Sequence, residues 1–325
     1  MIFSEGTAGF TRQVNCFPAM VPMSEAVRAW PSPTSVEGSE KPLPSGGGGV
    51  TKPPLLLIGQ GSHDDNGSAE FGRFIHRLRC RLDQTAVDVS GGYIARARPR
   101  LSDSVASLVA RGHHRMVAQP MSLAGDVWLG ADIPSAMARE QERHPMLTCD
   151  YGRPLGSDPR ILALLAERLA DAAAEVASLR LVPAAAGVFD DEPEHIEIGE
   201  TAVVLVGDGS TSPETNADVH RVSRLFWETH AHEYMTVETA FVSLTPPGVP
   251  GGIERCRRLG AKRVIVVPYL LFAGGLLDRV WAQAMAYAAG HPNLDVRCAD
   301  VIGDCEGLAD VVIERYEEAL SGIAW

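Results

Sequence analysis

A chain of 325 residues is long enough for two folded units, taking about 150 residues per domain as a guide. With 45% hydrophobic and 22% charged residues it has a globular composition, which excludes a wholly disordered, collagen-like or coiled-coil chain. Its 29 basic and 41 acidic residues leave a net charge of −12, which repels a phosphate backbone and argues against a nucleic-acid partner.

Residues 1–52 contain Pro18, Pro22, Pro31, Pro33 and the run Gly46 to Gly49 without helical or alternating periodicity, and they read as a flexible tail. The basic start and compact apolar stretch of a secretory signal are missing. Residues 53–182 are assigned to a first domain. It opens with the short apolar strand Leu55 to Ile58, of the kind buried on both faces of a parallel sheet. The next helix carries Phe71, Phe74, Ile75, Leu78 and Leu82 at core spacing. A further strand covers Met116 to Ala118, and Ser157 is expected to cap a helix with Pro159 in its first turn. Residues 183–200, rich in alanine and acidic residues, read as a linker. A second domain follows over 201–325, with a strand at Val203 to Val206, a helix carrying Val219, Val222, Leu225 and Phe226, and a strand at Val264 to Val267. Val264 to Leu277, the longest apolar run, is too short for a membrane span and is broken by Pro268, Gly274 and Gly275. The six cysteines form no C-x-x-C pair and fit a reducing cytoplasm.

The two domains are duplicates. LLLIGQGS at Leu55 to Ser62 returns as VVLVGDGS at Val203 to Ser210, an offset of 148 positions shared by Pro99 and Pro247, Gly112 and Gly260, and Pro120 and Pro268. His144-Pro145 and Gly156 recur at His291-Pro292 and Gly303 after a one-residue slip. The expected fold is α/β, each duplicate a parallel sheet flanked by helices, with a ligand beyond the carboxyl ends of the strands.

Three loops of the first domain should reach that ligand. Gln60, Gly61, Ser62 and His63 join the first strand to its helix, where glycines and helix-start amides suit an anion. A plain turn capped by Ser62 or Asp64 is the competing reading, and His63 is either a ligand or a solvated loop histidine. Arg96, Arg98 and Arg100 would share one face of an extended segment and grip carboxylates or phosphates, unless they form a solvated surface. Pro120 to Pro134 and Pro268 to Arg279 follow the fourth strand of each half. There Gly125 allows close approach, Trp128 offers a ring for stacking or fills the core, and Asp126 or Asp132 offers a carboxylate to a cation. His230, His232 and Glu233 form a small polar cluster at a helix end, more simply read as surface.

LLLIGQGSHD, GYIARARP, QPMSLAGDVWLGADIP, GDGSTSPETNADVHRVSRLFWE and RVIVVPYLLFAGGLLDR together resemble the class II chelatases, specifically the long two-domain CbiX-type sirohydrochlorin chelatases of cobalamin biosynthesis, over about 54 to 320. That resemblance implies a cytoplasmic lyase whose substrates are a polycarboxylate tetrapyrrole and a divalent metal, Co²⁺ first and Fe²⁺ or Ni²⁺ next. It further implies a histidine in the first loop, a glutamate after the second strand and a histidine after the fourth. These positions hold Gln60, Ala95 and Trp128 here, and Asp208, Ser243 and Leu276 in the duplicate. Gln60 ligates weakly and exchanges no proton near neutrality, and Ala95 and Trp128 do neither. His63, Asp64, Asp126 or Asp208 would then substitute. The resulting expectation is a divergent chelatase with Gln60, His63 and Trp128 at the chemistry and His63 and Asp126 on the metal. Gly61, Ser62, Ala95, Arg96, Arg98, Gly125, Asp208 and Leu276 would line the ring. The alternative is a chelatase-derived protein without metal insertion, either a tetrapyrrole binder or an enzyme acting on another anionic small molecule.

Overall fold

The computed structural model describes residues 52–61, 65–95, 97–123, 127–174 and 196–322. The first half runs β1 (Leu55–Gly59), α1 (Asp65–Leu82), β2 (Val89–Tyr93), α2 (Leu101–Ala110), β3 (Arg115–Pro120), α3 (Val127–Arg143), β4 (Thr148–Tyr151) and α4 (Pro159–Ala174). The second runs β5 (Thr201–Gly207), α5 (Pro213–His230), β6 (Val237–Phe241), α6 (Val249–Arg258), β7 (Arg263–Pro268), α7 (Gly275–Ala289), β8 (Asp295–Cys298) and α8 (Glu306–Leu320). Both sheets are parallel and share one order, β2-β1-β3-β4 and β6-β5-β7-β8. The strand before the Pro120 and Pro268 loops is therefore third in each half rather than fourth. The expected tail lies outside the described residues up to Thr51, as does the linker up to Glu194 and His195; Ile198–Glu200 forms a short 3-10 turn into β5.

Alternation along each central strand builds two cores per sheet. Leu56 and Ile58 of β1 pack with Leu101, Val105 and Leu108 of α2 and with Ile133 and Met137 of α3. On the second sheet Val204 and Val206 pack with Ile253 of α6 and Val280 of α7. The opposite faces do not make separate cores. Leu55 and Leu57 of β1 and Val203 and Leu205 of β5 belong to one continuous apolar cluster, together with residues of α1, α4, α5 and α8.

That common core is built by exchanging helices. α4 ends the first half yet packs on β7 and β8, while α8 ends the second half and packs on β3 and β4; the two helices also touch each other. Polar contacts fix the exchange. Arg168 of α4 donates to the carbonyls of Val301 and Ile302, both at 3.0 Å. Arg297 of β8 closes the end of α4 through the carbonyls of Ala172 and Ala173. Arg315 of α8, with no exposed surface, pairs with Asp158. Asp158, not Ser157, caps α4, its Oδ1 accepting from the Arg160 N–H at 3.0 Å. Among the described residues no helix is long and apolar enough to cross a membrane.

Candidate functional site

The strand-end rims of the two halves are built by the same backbone hydrogen bonds. Ile94 and Ala95 donate to the carbonyls of Gly59 and Gln60 at 3.0 Å each, and Val242 and Ser243 donate to Gly207 and Asp208 at 2.9 and 3.0 Å. Tyr93 donates to Pro99 and Phe241 to Pro247, both at 2.9 Å. Gln60 and Ala95 thus occupy in the first half the places that Asp208 and Ser243 occupy in the second.

On the first rim Gln60, Ala95 and Arg98 are exposed. Gly61 has φ 86°, and a Cβ there would sit 2.9 Å from that of Ala97, so the turn admits only glycine without strain. The arginine segment is not an extended face. The Tyr93–Pro99 bond and a bridge from Tyr93 to Arg100 fold it back on itself, and Arg100 becomes the residue that precedes α2. The alternation that would align the arginines ends with β2. Ser62, His63, Arg96, Gly125 and Asp126 lie outside the described residues, as do Asp64 and the side chains of Trp128 and Asp132.

The second rim carries a connected polar group. Ser243 Oγ lies 3.3 Å from Asp208 Oδ1 and 3.2 Å from its carbonyl oxygen. Burial raises the Asp208 pKa above the ordinary carboxylate value, opposed by the Ser243 hydrogen bond and by the positive charge of Arg279. The side chain nevertheless remains open to solvent. Gly209, at φ 95°, passes so close that a Cβ would meet the Ser243 carbonyl oxygen at 2.0 Å. Arg279 and Gln283 of α7 donate to the Val242 carbonyl at 3.4 and 3.3 Å, and Leu276 is half-buried in the first turn of the same helix. Leu244 is 73% exposed with φ 62°. Thr245 N–H returns to the Ser243 carbonyl at 2.7 Å, closing a three-residue turn about this leucine.

Three residues outside the sequence-based candidates join the rims. Tyr269, at the end of β7, donates its hydroxyl to the carbonyls of Leu123 and Gly156 at 2.9 and 3.0 Å. Glu70 of α1 accepts from Ala273 N–H at 2.6 Å and Asp304 N–H at 3.3 Å. Phe272 packs on Phe71 and Phe74, with ring centres 5.7 Å apart in both cases. The repeat hides all three, because their positions in the other half hold Met121, Asp218 and Ala124. His230 hydrogen-bonds Thr229 and stacks on Phe226 at the end of α5, in keeping with a surface role. Among the described residues no group of three or more His, Cys, Asp or Glu is arranged to hold a metal ion.

Comparison with known proteins places this architecture. The family described as CbiX matches twice, over residues 54–172 and 202–319. A sirohydrochlorin cobaltochelatase of Priestia megaterium is 30% identical over 277 residues, 85% of this chain and 82% of that protein. A sirohydrochlorin ferrochelatase of the same organism is 25% identical, covering 82% of this chain and 90% of its own. In structure, SirB from Bacillus subtilis with Fe³⁺ superposes with a TM-score of 0.63 at 22% identity, over 82% of this chain and 95% of that one. With both halves matched and the sheet order duplicated, the chain belongs to the CbiX family.

Proposed function

We propose that this protein inserts a divalent metal, Co²⁺ in preference to Fe²⁺ or Ni²⁺, into sirohydrochlorin or a closely similar polycarboxylate tetrapyrrole. The supporting observation is the double CbiX match, together with a cobaltochelatase relative aligned over 85% of the chain. The preference for cobalt follows the higher identity of that relative, 30% against 25% for the ferrochelatase.

The ring lies across the two strand-end rims. Arg98 and the other arginines of its loop take ring carboxylates through charge-assisted hydrogen bonds. Leu244 and Leu276 offer apolar contact to the flat macrocycle. Insertion exchanges one M²⁺ for two pyrrole protons, so the site must accept protons while holding the ring in a geometry that opens its nitrogens to the ion. Gln60 at the first rim supplies a neutral amide oxygen to the arriving cation and no proton acceptor.

The test is the visible spectrum of sirohydrochlorin incubated with the protein and Co²⁺, Fe²⁺ or Ni²⁺ in turn. Conversion to the metallated ring is expected, fastest with Co²⁺. Gln60→His/Ala95→Glu/Trp128→His should raise the rate, since each acid–base group commonly contributes about 10²- to 10⁴-fold. Tight ring binding with no conversion by the parent protein would overturn insertion in favour of a binding role.

A further inference from the structure

We infer that Asp208, oriented by Ser243, is the proton acceptor of the second half, taking a pyrrole N–H proton from the bound macrocycle. The inference rests on the ring-insertion reading above and assigns it a residue. Its basis is the difference between two rims of the same backbone geometry. At the first rim the paired positions hold an amide and a methyl group, Gln60 and Ala95; at the second they hold a carboxylate in contact with a hydroxyl. Only the second pair exchanges a proton at ordinary pH.

The loops around the pair are shaped to present it. Gly209 lets the chain pass the Ser243 carbonyl at a distance no side chain permits. Leu244 keeps a positive φ that a bulky residue adopts only under strain, and strain of this kind concentrates where a ligand is gripped. Leu244, exposed and apolar, directly follows Ser243, the hydrogen-bond partner of Asp208, a sequence of groups that suits a flat ring with N–H groups at its centre. Among the described residues, the charged and polar groups acting on Asp208 are Ser243 from the loop after β6 and Arg279 from α7; His220 of α5 packs edge-on to Phe241. Burial makes Asp208 a better base than a solvated carboxylate, while Ser243 and Arg279 favour the ionised form that accepts the proton.

The step balances without an oxidant or reductant. The pyrrole N–H bond breaks, its electron pair stays on nitrogen to bind the metal, and the proton moves to the Asp208 carboxylate and then to solvent along its open side. The second pyrrole proton leaves to water.

Asp208→Asn and Ser243→Ala are compared with the parent protein by the pH dependence of cobalt insertion, from about pH 5 to about pH 9, and by fluorescence titration with metal-free sirohydrochlorin. Asp208→Asn should lower kcat by about 10²- to 10⁴-fold and remove the acid limb of its pH profile. Ser243→Ala should retain the limb but move it to higher pH, because the hydroxyl stabilises the charged carboxylate. Ring affinity of the parent should weaken on acidification more than that of Asp208→Asn. An Asp208→Asn protein with unchanged rate and profile overturns the inference and leaves metal insertion standing. A parent that inserts no metal, yet shows the Asp208-dependent change in ring affinity, overturns insertion and keeps Asp208 on the ring N–H groups. Identical pH dependence of ring affinity in the parent and Asp208→Asn, without insertion, overturns both.

Discussion

Leu244 separates stability from function at a single residue. An L-residue pays about 1–2 kcal/mol for the left-handed region, and asparagine tolerates it best among side chains of similar size. With the leucine 73% exposed, little packing is lost on its removal. Leu244→Asn should therefore leave the thermal midpoint unchanged or raise it, while weakening macrocycle binding measured by fluorescence quenching. Gly209→Ala should do the reverse, because its Cβ would meet the Ser243 carbonyl oxygen at 2.0 Å in a φ 95° backbone and push Ser243 away from Asp208. A lower melting temperature and a pH profile displaced like that of Ser243→Ala are the expected readings.

At the scale of elements, Asp158 ties α4 to α8. Its own burial works against the charged form, but hydrogen bonds from Arg160 and the charges of Arg160 and Arg315 outweigh it and bring the pKa to about 2. A carboxyl held below its unfolded value stabilises the fold above that value and loses the contribution as pH falls towards the folded pKa. The effect amounts to roughly 2 kcal/mol. Denaturant midpoints should fall between about pH 4 and pH 2 in the parent and less steeply in Asp158→Asn, which starts lower because Arg315 loses its buried partner. The apolar runs of β1, β5 and β7 and the spacing of Phe71, Phe74, Leu78 and Leu82 made these elements legible in the sequence, since burial on both faces or one leaves a direct imprint on residue type. The partner of α4 was not legible. Its pattern of Ile161, Leu162, Leu165 and Leu169 states that a face is buried, not which sheet buries it. The same limit applies at the site: the repeat aligned Asp208 with Gln60 and Ser243 with Ala95, but a side-chain contact across 35 positions depends on how two loops turn. The arginine loop shows the converse, a reading from strand alternation that failed where the strand ended.

For the whole molecule, one shared core and two exchanged helices make the halves interdependent. Without α8, the first half leaves the faces of β3 and β4 that it covers open to water, and α4 has no sheet to pack on; the second half without α4 exposes β7 and β8 in the same way. Leu164, Leu165 and Leu169 alone represent several kcal/mol of apolar burial, at about 1.5–3 kcal/mol for each fully buried side chain. That loss is comparable to the whole marginal stability of a typical domain, about 5–15 kcal/mol. The full chain should therefore unfold in a single calorimetric transition whose van't Hoff and measured enthalpies agree, despite its duplicated sheets. Residues 52–174 and 196–322 produced as separate chains should each fail to give a folded monomer, yet co-purify as a folded pair when expressed together. Two resolved transitions in the intact protein, or a cooperatively folded monomer of either fragment, would show that each sheet closes its own core and that the exchanged helices are accessory.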